Sequence, residues 1–122
     1  MSDDHPEHVR ENRDHWNRGA DWWVAPGERA WARADPTWGV WDIPEAQLQM
    51  LPASMAGRDA IELGCGTGYV SGWMARRGAK VVGIDISEKQ LETARRLSAL
   101  HEVPLALIHG SAERVPYPDG SF

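Results

Sequence analysis

The chain reads as an α/β protein: about three parallel strands with flanking helices, half of a doubly wound sheet, preceded by a Trp-rich helical cap. Three observations predict this. From residue 58 onward, short apolar runs alternate with segments of helical period. A glycine-rich turn sits where the first apolar run meets the first of those helices. Residues 16–41 follow neither pattern and set Trp among Pro and Gly. The expected division is a cap over 1–57 and a sheet-forming unit over 58–122.

Each element has its own signals. Residues 1–15 are polar and mixed in charge, so a frayed or loosely held helix is expected. Between Trp16 and Trp41, the residues Gly19, Pro26, Gly27, Pro36 and Gly39 limit any helix to a short one, and Pro26-Gly27 reads as a turn. Asp42-Ile43-Pro44-Glu45 reads as a helix start, with Asp42 capping, Pro44 in the first turn and Glu45 completing a capping box. That helix should run to about Leu51, where Pro52 stops it. Residues 59–63 form a short strand that ends in glycines. A helix follows from Gly68 to Arg77, with Val70, Trp73 and Met74 on one face and Gly78 ending it. Residues 80–85 are apolar enough for a buried parallel strand. Ser87 caps the next helix with Gln90 as its reciprocal partner, and Leu91, Ala94, Leu97 and Leu100 give it a core face. Residues 105–109 make a third strand, and 116–120 are turn chemistry. Right-handed crossovers put the second strand beside the first and the third beyond it.

Composition bounds the function. With 122 residues, 42% apolar and 25% charged, the chain fits one soluble domain. Its formal charge of −5 argues against a nucleic-acid partner, which needs a basic face. The pairs Arg76-Arg77 and Arg95-Arg96 read as solvated helix C-termini. The single cysteine, Cys65, excludes an internal disulfide. No run approaches the ~20 apolar residues of a membrane span. Residues 1–13 lack the apolar core of a signal peptide, so a cytoplasmic protein is expected. His5, His8, His15, His101 and His109 are scattered without metal-ligand spacing, and no metal site is assigned.

The glycine turn carries the chemistry. A strand running through Gly64, Gly66 and Gly68 into a helix offers backbone N–H groups and a positive dipole end to a ligand, with no Cβ in the way. A dinucleotide loop wants its third glycine at position 69, which here is Tyr69. The acid Glu62 also precedes the loop. A carboxylate there repels a diphosphate but favours a ligand bearing an ammonium and a sulfonium, which points to S-adenosylmethionine rather than NAD. Asp85 ends the second strand, where a carboxylate accepts from both hydroxyls of a ribose.

Three stretches occur in order: Ile61-Glu62-Leu63-Gly64-Cys65-Gly66-Thr67-Gly68, Val82-Gly83-Ile84-Asp85-Ile86-Ser87, and Gly110-Ser111-Ala112-Glu113-Arg114-Val115-Pro116 through Phe122. Together they resemble the motifs of class I S-adenosylmethionine-dependent methyltransferases, with the small-molecule, ubiquinone/menaquinone-type branch the most similar. The resemblance covers roughly residues 58–122 and implies a Rossmann-like fold. It places Gly64, Cys65, Gly66 and Gly68 in the cofactor loop, with Glu62 near the cofactor's ammonium. It also places Asp85 on the ribose, Ile86 against adenine and the Ala112 N–H toward the adenine ring. One position departs. The family usually has an acid at the place of Ser111, and serine accepts there without the charge; Glu113 is the candidate substitute.

The resemblance implies a small-molecule methyl acceptor and names no catalytic residue, because methyl transfer depends largely on alignment. Two further classes stay open, an NAD(P)-dependent oxidoreductase and a non-catalytic cofactor-binding module. Six of the seven tryptophans (Trp16, Trp22, Trp23, Trp31, Trp38, Trp41) fall in the first third. They read first as packing anchors for the cap and second as a cation–π face, with Trp16 and Trp31 the candidate pocket residues. The family's sheet has seven strands and its fourth would begin after Phe122. The expectation is therefore a fragment, inactive alone, whose residues 60–63 form an open sheet edge prone to self-association.

Overall fold

The computed structural model describes residues 3–122. Helix α1 (Glu7–Arg18), a 3-10 turn (Ala20–Trp23) and α2 (Val24–Ala32) lead into a small antiparallel hairpin, β1 (Thr37–Trp38) and β2 (Ile43–Pro44). A one-turn helix, α3 (Glu45–Leu48), follows. Then come β3 (Asp59–Leu63), α4 (Tyr69–Arg76), β4 (Lys80–Asp85), α5 (Glu88–Leu100) and β5 (Ala106–His109).

The three long strands make a parallel sheet in the order β3-β4-β5, with Ile61 opposite Val82 and Ile84 opposite Ile108. Val81, Val82 and Ile84 are buried, as a central strand covered on both faces requires. Met74 packs with Met55, Ala79 and Val81 to form one part of the core. Trp31, Leu97 and Val103 form another, which joins the N-terminal helices to the sheet layer. Each fully buried aliphatic side chain of this kind contributes roughly 1.5–3 kcal/mol of transfer free energy.

The elements after residue 58 end as their sequence signals dictate. Gly78 takes φ +103°, and the Ala79 N–H closes back on the Met74 carbonyl at 3.2 Å, a left-handed C-terminal stop. The Ser87 hydroxyl accepts from the Gln90 N–H at 3.2 Å. The reciprocal half of the expected capping box is filled differently: the Ser87 N–H donates to Asp85 Oδ1 at 2.8 Å. Leu91, Ala94 and Leu97 are buried, whereas Leu100 lies beyond the packed face and is 67% exposed. Arg95 and Arg96 sit within α5 rather than at its end, facing Glu88 and Glu28.

The cap differs more. Residues 7–18 form a regular helix held through the buried Val9 and a 2.5 Å Arg13–Asp3 ion pair. Pro26-Gly27 is no turn; both lie in α2, where proline is tolerated because the first helical turn has no N–H partner to lose. Asp42 does not cap a helix. It turns the hairpin at φ +50° and pairs with Arg33 at 3.1 Å. Helix α3 begins at Glu45 and stops at Leu48, because Gln49 adopts the left-handed conformation three residues before Pro52. The Glu45 carboxylate is buried. It accepts from the Met50 and Leu51 N–H groups and the Trp38 indole, and pairs with Arg77 at 3.3 Å.

The cap is tied to the sheet layer at named points. The Trp31 Nε1 donates to the Thr67 carbonyl at 2.8 Å. Arg76 donates to the Trp31 carbonyl at 3.0 Å and lies over its ring at 5.5 Å. The Ser87 hydroxyl donates to Asn17 Oδ1 at 2.6 Å. Gly27 lies so close to Thr67 that a Cβ would meet its hydroxyl at 2.6 Å.

Candidate functional site

The end of β3 runs into the turn 64–68, in which Gly64, Gly66 and Gly68 take φ of +70°, +55° and +83°. Only glycine adopts these angles without strain. The Gly64 and Cys65 N–H groups donate to the Ile84 carbonyl at 2.8 and 3.0 Å, which anchors the turn to β4. Beside the Gly64 Cα no atom lies within 4 Å of where a Cβ would stand, and beside Gly66 only Gln90 Oε1 reaches that limit. The turn is therefore a cradle that opens onto free space.

Asp85 and the turn are bonded to each other. Asp85 Oδ2 accepts from the Gly66 N–H and Oδ1 from the Ser87 N–H, both at 2.8 Å. A carboxylate has about four lone-pair sites, so two remain for a ligand. Glu62 lies behind the turn, where its Oε1 accepts from the Ser71 N–H at 3.0 Å and hydroxyl at 2.6 Å. Burial raises its pKa to about 7, opposed by the two Ser71 hydrogen bonds and helped by the nearby Asp85 charge. Burial also pushes the Cys65 thiol well above its ordinary value, with the Glu62 and Asp85 charges adding to it. A helix N-terminus does not activate this cysteine.

These groups line a cleft of about 1060 Å³ between the sheet edge and the cap. The structure brings Glu62, Gly64, Cys65, Gly66, Asp85, Ile86, Ser111, Ala112 and Glu113 to it together. Gly68 is apart. It packs under the cap, where a Cβ would stand 3.2 Å from Ala94 and 3.7 Å from Trp31. Ser111 is buried and its hydroxyl accepts from the Glu113 N–H at 3.2 Å. The Glu113 carboxylate bonds His8 Nε2 at 2.7 Å, closing α1 over the loop, so it is already engaged. His109 faces Glu88 and the Ile86 carbonyl.

Trp16 lines the cleft. Trp31 does not: it is fully buried between the helices. Sequence reasoning missed Arg29, Arg33, Tyr69, Trp23 and Trp73, all of which line the cleft. The spacing of Pro26, Ala30 and Arg33 carries a helical signal, which the turn reading of Pro26-Gly27 hid.

Comparison with known proteins fits this geometry. Residues 60–122 match the family model described as methyltransferase domain. The chain belongs to the S-adenosylmethionine-dependent methyltransferase domain family. A ubiquinone biosynthesis O-methyltransferase of Neisseria meningitidis is 38% identical over 92 residues, covering 72% of this chain and 35% of that protein. The chain spans about a third of that relative's length, and about a fifth of an Azoarcus ubiquinone biosynthesis O-methyltransferase. Among solved structures, an S-adenosylmethionine-dependent methyltransferase from Mesorhizobium loti is 32% identical, with a TM-score of 0.50, over 63% of this chain and 34% of that one. A Haemonchus contortus phosphoethanolamine N-methyltransferase shares the fold alone, at 15% identity and a TM-score of 0.60, over 88% of this chain and 22% of its own. Among the described residues no helix is long and apolar enough to cross a membrane.

Proposed function

We propose that the cleft binds S-adenosylmethionine and that the chain acts within a methyltransferase whose acceptor is a small molecule. The observation that carries this reading is the cradle itself. Gly64 and Gly66 leave the space a Cβ would fill, Asp85 is fixed beside them by the Gly66 N–H, and Glu62 lies at the strand end. When bound, S-adenosylmethionine would supply an activated methyl group on its sulfonium for transfer to the acceptor. Asp85 holds the ribose through its two free lone-pair sites. Glu62 faces the ammonium and is ionised in the complex, because a neighbouring cation favours the charged carboxylate. Ile86 and the Ala112 N–H take the adenine, with Ser111 and Glu113 at its edge. The cap, over residues 1–57, forms the other wall.

No protein nucleophile is required, so the chain's contribution is alignment and exclusion of water. Thermal-shift measurements with S-adenosylhomocysteine and with NAD test the reading. The homocysteine analogue should raise the melting temperature and NAD should not. A shift with NAD alone would support an oxidoreductase instead.

A further inference from the structure

The cleft has a second wall, away from the glycine turn, with a chemistry of its own. The later part of α1, the 3-10 turn, α2 and α4 build it. Trp16 and Trp23 lie there, tilted at 6.3 Å, with Tyr69 and Trp73 edge-on at 5.1 Å. Trp16 is 37% exposed and Trp23 49% exposed, although a tryptophan ring gains much by being covered. The Trp73 Nε1 is buried and has no acceptor among the described residues, which is rare for an indole donor.

The charges of the cleft sort into two ion pairs, two carboxylates held by uncharged donors, and Arg29. Arg33 pairs with Asp42 at 3.1 Å and also donates to the Thr37 hydroxyl. His8 bonds Glu113 at 2.7 Å. Glu62 and Asp85 stand on the cofactor side, each bonded to backbone N–H groups. Arg29 also lines the cleft and is exposed. Among the described residues it has no carboxylate within salt-bridge distance, though its field helps hold the Asp42 carboxyl low after the larger effect of Arg33. A guanidinium in this setting offers two parallel donors to a planar anion, and the aromatic rings that line the same cleft offer stacking surface. A cationic acceptor would be repelled by Arg29, whereas Arg33 is already paired with Asp42, and a saturated one would leave the rings poorly matched.

We infer that the methyl acceptor is a planar aromatic acid, its ring taken by the aromatic wall and its carboxylate by Arg29. This rests on the S-adenosylmethionine reading above, which assigns the opposite wall to the cofactor. Isothermal calorimetry with saturating S-adenosylhomocysteine tests it, using 2-naphthoate, 2-naphthamide, 2-naphthylmethylammonium and cyclohexaneacetate as probes. The naphthoate should bind at least ~10-fold more tightly than each of the other three, the scale of a charge-assisted hydrogen bond. In Arg29→Gln that preference over naphthamide should fall to about twofold or less, with Arg29→Lys keeping part of it, since lysine retains the charge but not the fork. Melting curves check that both variants fold. Tighter binding of the ammonium or of the saturated acid, or an undiminished preference in folded Arg29→Gln, would overturn the inference and leave the cofactor reading intact. Absence of S-adenosylhomocysteine binding to the folded wild-type chain would overturn both.

Discussion

At the scale of single residues, Glu62 is the carboxyl whose state the fold controls most strongly. Its carboxyl titrates at about 7 rather than 4.5, chiefly because burial penalises the charge. The folded chain therefore binds more protons at this site than the unfolded chain between those two values. Stability from this residue is fully present at the acid end and is lost as pH rises toward neutrality, by an amount on the order of 3 kcal/mol. Urea titrations across that window should show stability falling with pH more steeply in the wild type than in Glu62→Gln. Ligand binding should run the other way. An ammonium beside Glu62 selects its ionised form, so the affinity for S-adenosylhomocysteine should rise with pH over the same window, with proton release seen by calorimetry in buffers of different ionisation enthalpy. Equal pH slopes in the wild type and Glu62→Gln would remove Glu62 from both roles.

At the scale of elements, the shape of the cleft depends on how α2 meets the glycine turn and α4. Two contacts set that distance. A Cβ on Gly27 would stand 2.6 Å from the Thr67 hydroxyl, and one on Gly72 would stand 2.6 Å from the Trp31 ring. Gly27→Ala should therefore cost about 1–3 kcal/mol, the range for overpacking a close contact, and thermal melts will read it. Trp31→Phe keeps a ring in the buried slot but leaves the Thr67 carbonyl without its 2.8 Å donor, for a loss of roughly 1–3 kcal/mol. Melts unchanged in both variants would show that the cap does not brace the loop in this way.

The same elements show what could be read in the sequence. The stretch 59–109 was legible because its strands are short apolar runs and its helices carry local stops: Gly78 after α4, Ser87 before α5. Local chemistry sets those signals, and local chemistry decides the outcome. The cap was not legible in this way. Pro26 opens no turn because it sits in the first turn of α2, and Asp42 serves a hairpin that exists through its contact with Arg33. Within the cleft, Glu62, Asp85 and the glycines could be placed from the strand ends they occupy. Arg29, Tyr69 and Trp73 could not, since they meet the cleft only once α2 and α4 have packed.

At the scale of the whole molecule, β3 pairs with β4 on one side and with no strand among the described residues on the other. Its last residue, Leu63, is 55% exposed. Unpaired strand edges carrying apolar side chains promote association. We expect sedimentation velocity to show concentration-dependent self-association of the isolated chain, weakened in Leu63→Lys. A monomer at all concentrations would contradict this.

The proposed function rests on the cradle of Gly64 and Gly66, with Asp85 beside it, holding S-adenosylmethionine. Calorimetric titration of S-adenosylhomocysteine into the wild-type chain and into Asp85→Ala tests it most directly. Binding should be saturable and weaken by at least ~10-fold when the ribose partner is lost, the scale of hydrogen bonds to a charged group. No binding to the folded wild-type chain, or equal affinity in Asp85→Ala, would contradict it.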